Sequence, residues 1–354
     1  MNSSSNAMAS PMKAGFFQTL EYPSQNEILI RDKIYGDHKI SEPILVELLQ
    51  SPALLRLTGV CQHGVTGHLG LTPRVTRFEH SVGAFLLVRT VGASLEEQVA
   101  ALLHDISHTT LSHVIDWALS KPGEGSFHEV HKSRYIKTTG LPQILENHGF
   151  GNLRALDEEL FPLVERPSPH LCADRLDYSL RDAVGFGKLP LEDVQRLYAA
   201  LKAFPDVSSP QRIFMLEDGQ LALAFARAYL EIDRDVWSNP AHIDMYKRTG
   251  QLIGDMIRRG SVNDEDLWKL SDDEFWELLR NAAASREMES MKRLESEGLP
   301  KDIGLNLPQG TKIRTIDPDI YLPATKQLLP LSVVYPEWET EQREYIRARE
   351  ALRV

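Results

Sequence analysis

Apolar residues recur at helical spacing along most of the chain, and the breaks between periodic stretches fall at glycine, proline and short polar clusters. The segment "SEPILVELLQSPALLRL" at 41–57 has apolar positions three and four apart, divided by Pro52. From Phe78 to Leu119 the pattern is helical, with Gly92-Ala93-Ser94 parting two helices and Ser94 placed to cap "LEEQ". Helical periodicity resumes at 128–149, 157–166, 170–184, 190–203 and 224–260. "DEDLWKLSDDEFWELLRNA" then reads as a pair of charged, aromatic-studded helices within 264–300, either a solvated face or a homo-oligomer contact. Extended structure is predicted at three places. "NEILIRDKIYGDHKI" at 26–40 reads as a strand and turn, "RIFMLEDGQLALAF" alternates around "EDG" as a hairpin, and "TKIRTIDPDIYLP" with "LPLSVVYPEW" is extended and proline-rich. The pattern predicts a mainly α fold: a disordered tail over 1–20, a helical core over 21–203, and a C-terminal lobe of hairpin plus helices over 204–354.

Composition changes this picture little. The chain has 354 residues, 42% hydrophobic and 25% charged, enough to build a core without staples. Two cysteines, Cys61 and Cys172, make no disulfide framework, which points to a reducing compartment. With no bilayer-length apolar run and no signal-peptide pattern, the expectation is a cytoplasmic protein without membrane contact. A net charge of -11 argues against an extended nucleic-acid interface, which needs excess Lys and Arg. A small anionic substrate remains compatible, because local arginines or a bound cation override the global field.

The chemistry is concentrated. Ten of the twelve histidines lie between His63 and His170, so a site is favoured over scattered surface use. "LLHDISHTTLSHVID" at 102–116 enters from a buried run yet carries three histidines and two aspartates, an arrangement that costs several kcal/mol unless the groups are paired or coordinated. As a helix it sets His104, His108 and Ser112 on one face. "LCADRLDYSLRDA" sets Asp174, Asp177, Tyr178, Arg181 and Asp182 in one stripe opposite Leu171, Leu176, Leu180 and Val184. His80 opens the helix in "RFEHS". Together His80, His104, Asp105 and Asp174 form a set of two imidazoles and two carboxylates, suited to one divalent Fe, Mn, Zn or Mg ion. "HEVH" at 128–131 has its histidines three apart, which rules out the His-Glu-x-x-His metalloprotease arrangement.

A histidine, an adjacent His-Asp pair and a distant aspartate resemble the HD-domain metal-dependent phosphohydrolases. The ordered run "IRDKIYGDHKI", Arg56-Leu57, Gln62 before a Gly-rich loop, "RFEHS", "HDISHTTLSHVID", His128-Glu129 and "DRLDYSLRD" resembles the deoxynucleotide triphosphohydrolase branch most closely, across roughly residues 28–185. The resemblance implies an HD-domain helical core, with His80, His104, Asp105 and Asp174 as metal ligands and Arg77 on phosphate. It further implies His108, His113, Asp116 and His128 around the scissile phosphate, with His113 protonating the leaving oxygen. Gln62, Tyr178 and Asp182 take sugar-contacting positions, and Arg175 stands where the branch often has a lysine. The implied activity is hydrolysis of a nucleotide, with a deoxynucleoside triphosphate as one substrate. A di-iron oxygenase drawing on His108, His128 or His131, a non-nucleotide phosphate ester and a non-catalytic nucleotide sensor stay open as alternatives. Gln50 and Thr58 stand where the animal enzyme of the branch reads a guanine nucleotide with Asp and Arg, which argues against that activation. His63 replaces a leucine beside the sugar-reading glutamine, so sugar and base selection are expected to differ.

Overall fold

The computed structural model describes residues 9–13, 15–121, 123–301 and 304–354. It is mainly helical, with two four-stranded sheets. The first sheet runs in the order β1 (Ala9–Lys13), β2 (Gln18–Ser24), β3 (Glu27–Asp32), β4 (Gly36–Ile40), each strand antiparallel to the next. Strand alternation turns Leu20, Ile28, Ile30 and Ile40 inward, all fully buried. The expected strand and turn at 26–40 are thus present as β3 and β4. The disordered tail is corrected from residue 9 onward, because β1 and β2 pair within the sheet and Phe17 and Gln18 are buried. Residues 1–8 lie outside the described residues.

The centre is the helix Arg77–Thr90, in which every side chain from Arg77 to Val88 is buried. A capping box between Thr76 and Glu79 starts it. The Glu79 carboxylate also accepts the backbone N–H groups of Phe17 (2.5 Å) and Gln18 (3.1 Å), latching the sheet to the helix start. The helices Leu95–Leu103 and Ala173–Gly185 pack against this central helix. Both polar segments singled out in the sequence therefore reach the same place.

Four expected elements differ. The helix over 94–119 stops at Leu103 and restarts at Val114; residues 104–113 form successive turns, with Leu111 and Ser112 in the left-handed region at φ 55° and 49°. His104, His108 and Ser112 consequently share no helix face. A continuous helix would string these groups along one line, whereas the turns fold them around a point. At 157–166 only the short 3-10 turn Glu158–Leu160 forms. The hairpin at 212–225 has one strand, β6 (Ile213–Leu216); the other half begins the helix Gly219–Ile232, where the Asp218 side chain caps the Leu221 N–H. Alternating "LALAFA" is equally a run of good helix formers buried on most sides, and capping decides it. Last, 331–334 is helical rather than extended and leads into the helix Pro336–Glu350.

β6 sits in the second sheet between β5 (Lys202–Phe204) and β7 (Asp319–Leu322), parallel only to β7, with β8 (Gln327–Pro330) at the edge. The charged segment 264–300 forms a 3-10 turn and the helices Asp272–Ala282 and Ser285–Glu297. It is not simply a solvated face: Leu267, Trp268, Asp272, Phe275, Trp276 and Leu279 are buried. Among the described residues no helix is long and apolar enough to cross a membrane.

Candidate metal centre and active site

His80 is carried one turn into the central helix with its ring fully buried. Its Nδ1 lies 2.8 Å from Asp177 Oδ2. His104 follows the end of the Leu95–Leu103 helix, and its Nδ1 lies 2.8 Å from the Ala101 carbonyl. Both partners accept hydrogen bonds, so each Nδ1 carries a proton, and with a metal bound each Nε2 would present its lone pair. Those two Nε2 atoms face each other at 3.1 Å. Asp174 Oδ1 stands 3.0 Å from the first and 3.6 Å from the second; Asp105 Oδ2 stands at 3.4 and 3.8 Å. Four electron-rich atoms converging in a buried place repel one another unless a cation lies among them, and this donor set fits a divalent metal.

The acid-base properties agree. Burial opposes charging His80, yet hydrogen bonds to Asp174 and Asp177 push its pKa up to about 10. Burial likewise opposes ionising Asp105 and Asp174. Asp105 is held well below the carboxylate range by its contact with His108 and by the Arg77 charge, and Asp174 by the adjacent His104 and His80 imidazoles. Without a metal, a proton takes the cation's role.

Behind His80, Asp177 also accepts from Tyr35 Oη (2.7 Å) and Arg181 Nε (3.0 Å), and Arg181 Nη2 reaches Asp32 Oδ2 at 2.8 Å. Asp177, Arg181 and Asp32 side chains have no exposure at all. Room for them comes from Gly83, where a Cβ would meet Asp177 Oδ1 at 1.7 Å. Such outer hydrogen bonds fix the imidazole tautomer and orientation. Asp177 and Arg181 were visible in the helical stripe, but nothing in the spacing separates them from substrate contacts.

Arg77 bonds Asp105 Oδ2 at 2.6 Å and Ser112 Oγ at 3.1 Å, bringing a guanidinium to the rim of the cluster. His108 Nε2 lies 3.3 Å from Asp105 Oδ1, and its ring stacks on His128 with centroids 3.5 Å apart. Burial and the Arg77 charge hold the His108 pKa well below its usual value. Burial and neighbouring His113 lower that of His128 to about 3, so both rings are neutral. His113 is half-exposed, edge-on to His108 at 5.0 Å, and its Nδ1 lies 2.9 Å from Asp116 Oδ2. Asp116 Oδ1 in turn accepts the Phe127 N–H at 2.7 Å, which anchors the pair.

The remaining sequence-predicted residues divide. Tyr178 follows Asp174 by one helical turn, with its ring centroid 6.4 Å from that of His80 and its hydroxyl 2.8 Å from Tyr229 Oη. Asp182, one turn further, is held by His63 Nε2 (2.9 Å) and Trp237 Nε1 (2.7 Å). Gln62 has a buried Oε1 without a partner among the described residues. Arg175, by contrast, donates to the carbonyls of Arg166 and His170, so its charge is spent on the preceding turn. Sequence reading missed Tyr229, Trp237 and Arg314, whose charge acts on both tyrosine hydroxyls. They come from beyond residue 204, where no local spacing marks them.

Residues 77–174 match the HD domain family, a span that begins at Arg77 and ends at Asp174. The metal-dependent phosphohydrolase cns2 of Cordyceps militaris is 61% identical, covering 97% of this chain and 99% of that protein. The chain belongs to the HD-domain metal-dependent phosphohydrolases. As a member it is a hydrolase, and its family implies the divalent metal that the His/Asp cluster fits. A deoxynucleoside triphosphate triphosphohydrolase SAMHD1 homolog of Dictyostelium discoideum is 25% identical over 50% of this chain and 40% of its own length. The same fold appears in the solved structure of a hypothetical protein from Aquifex aeolicus, with a TM-score of 0.65, 17% identity, and coverage of 92% of this chain and 99% of that one.

Proposed function

We propose that this HD-domain phosphohydrolase cleaves the phosphate ester of a nucleotide at the His80, His104, Asp105, Asp174 cluster. The observation that carries the reading is the convergence of two Nε2 atoms and two carboxylate oxygens beside Arg77. A metal held by these four residues would neutralise phosphate charge and acidify a water. Arg77 binds a phosphate oxygen, its orientation fixed by Asp105 and Ser112. His113 donates a proton from Nε2 to the leaving oxygen, while Asp116 holds Nδ1 and stabilises the charged ring. Neutral His108 and His128 line the phosphate with hydrogen-bonding nitrogens and bring no competing negative charge. A nucleoside is favoured by the aromatic group of Tyr178, Tyr229 and Trp237, and by Gln62 and Asp182 beside it. The deoxynucleoside triphosphate is the first substrate to test, on the strength of the similar triphosphohydrolase.

The test is a phosphate-release profile of deoxy- and ribonucleotides with Mn, Fe or Mg, alongside Asp105→Ala. Triphosphate released from deoxynucleoside triphosphates and lost in the variant supports the narrower substrate. Orthophosphate from monophosphates keeps the reaction and moves the substrate, and no turnover on any nucleotide sinks the reading. A second reading has one observation behind it: donor atoms of Asp105, His108 and His128 lie within 4.8 Å of one another, so these three residues would hold a second ion. Two irons per chain, with oxygen consumed and no phosphate released, would favour that oxygenase.

A further inference from the structure

We propose that Asp272, in the C-terminal lobe, is the positioning residue that fixes the two active-site loops against each other and thereby aims Arg77. The inference rests on the reading of the site above. Asp272 begins the helix Asp272–Ala282, but its carboxylate turns away from that helix and is fully buried. Oδ1 accepts the Leu111 N–H at 2.7 Å and the Thr110 hydroxyl at 2.9 Å. Oδ2 accepts the Cys61 N–H at 2.7 Å. Among the described residues these three hydrogen-bond partners are two amides and a hydroxyl, none of them a cation. A buried carboxylate held only in this way is costly to ionise, so helix stability does not account for it; Ser271 and Glu274 already cap the helix.

What the carboxylate joins is specific. Cys61 precedes Gln62 and His63; Leu111 precedes Ser112 and His113. The Cys61 carbonyl accepts from Ser112 Oγ at 2.7 Å, and that oxygen accepts from Arg77 Nε at 3.1 Å. Ser112 reaches both because Leu111 and Ser112 adopt left-handed φ angles, which non-glycine residues keep only when their surroundings impose them. The imposing contacts come from one segment: Asp272 on Leu111 and Thr110, the Leu267 carbonyl on the Thr110 N–H (2.9 Å), and Trp268 Nε1 on the Ser107 carbonyl (2.9 Å). Gly64 seals the contact, since a Cβ there would meet the Leu111 carbonyl oxygen at 2.5 Å. An asparagine at 272 keeps one oxygen for one loop and turns an N–H₂ toward a donor of the other.

The test compares Asp272→Asn, Thr110→Val and the surface control Asp273→Asn in the metal-loaded full chain. Melting temperature, metal content, kcat and KM on the best nucleotide, and orthophosphate affinity are measured, together with hydrogen exchange at the Cys61 and Leu111 amides. For Asp272→Asn we expect full metal content, a kcat lower by tenfold or more with KM changed less than threefold, weaker orthophosphate binding and faster exchange at both amides. Thr110→Val moves kcat the same way by a smaller factor, and the control matches the native chain. A folded Asp272→Asn with kcat within twofold of native overturns the proposal, as does loss of metal in proportion to activity. If Asp272→Asn does not fold, Thr110→Val and Trp268→Phe decide: reduced kcat at native melting temperature supports it, native kcat in both overturns it. Should the native chain turn over no nucleotide, the functional reading fails separately, and unchanged orthophosphate affinity and amide exchange in Asp272→Asn would sink the positioning role.

Discussion

The candidate metal cluster draws on three segments of two kinds: His80 and Asp174 stand on helices, His104 and Asp105 on turns. The helix Ala173–Gly185 supplies Asp174 from a regular backbone, with Tyr178 and Asp182 following at one-turn intervals. Residues 104–113 supply His104, Asp105, His108 and His113 from successive turns containing two left-handed residues. A helix aims side chains through local hydrogen bonds, so its contribution is written in the spacing. The turns have no such ladder and are shaped by contacts from distant parts of the chain: Arg56 on the Ile106 and His108 carbonyls, Trp268 on Ser107, Asp272 on Thr110 and Leu111. Each left-handed non-glycine residue stores about 1–3 kcal/mol, which those contacts must offset. Groups on a helix are aimed by their own backbone; groups on an imposed turn are aimed by whatever imposes it.

The largest expected effect strikes both segments where they meet. Asp105→Ala removes a ligand and the partner of Arg77 and His108, so turnover should fall by roughly 10³-fold, several kcal/mol of lost charge stabilisation. Phosphate-release assays at saturating metal read it, and a loss below tenfold would remove Asp105 from the centre of the chemistry.

Next, Arg181→Met tests whether the helical side is self-sufficient. It strands the buried Asp32 and Asp177 carboxylates, and denaturant unfolding should show a loss of about 3–5 kcal/mol. Asp177→Asn should be milder for folding but weaken metal binding by about 10–100-fold, through loss of His80's outer partner. Equal metal affinity in native and Asp177→Asn protein, by competitive chelation, would make that contact purely structural.

A smaller, graded effect is expected from pH. His80 has a folded pKa raised to about 10 in the metal-free protein, so the stability it contributes is complete below its unfolded value near 6.5 and is lost as pH rises toward 10. Asp105 and Asp174 have depressed pKa values, so their contribution is present above about 4 and lost as pH falls through the depressed folded values. A metal replaces the His80 proton. The gap in melting temperature between metal-loaded and metal-free protein should therefore widen from pH 7 to pH 10, and a constant gap would contradict the shared-proton arrangement.

The smallest effect belongs to the neighbour of Asp272. Asp273→Asn breaks only the exposed pair with Arg74 and a contact to His68, so stability should change by about 0.5 kcal/mol or less.

Much of this was legible in the chain. Buried imidazoles and carboxylates need pairing or coordination, and His80, His104, Asp105 and Asp174, taken from three segments, do lie together. The stripe from Asp174 to Asp182 lies on a helix, as its spacing required. Other readings failed where local pattern is ambiguous. "LALAFA" alternates like a strand but is capped as a helix, and 102–116 enters as a helix but cannot fold its ionisable groups around one point as a helix. Residues 264–300 read as a solvated face or an oligomer contact because their charges outnumber their anchors. Trp268, Asp272 and Phe275 nevertheless turn inward, and one of those charges is the inward group.

The sequence by itself determined which groups can hold a cation and that the fold is mainly helical, because both follow from residue chemistry and from spacing within one or two turns. Tertiary structure alone decided that Asp177, three residues from Asp174, turns to His80 Nδ1. It decided too that Tyr229, Trp237 and Arg314 join Tyr178 and Asp182, and that Asp272 spans to Leu111 and Cys61, 161 and 211 residues away. Hydrogen bonds across such separations leave no periodic trace. Their donors and acceptors are common residue types, and only the packed core brings them within 3 Å.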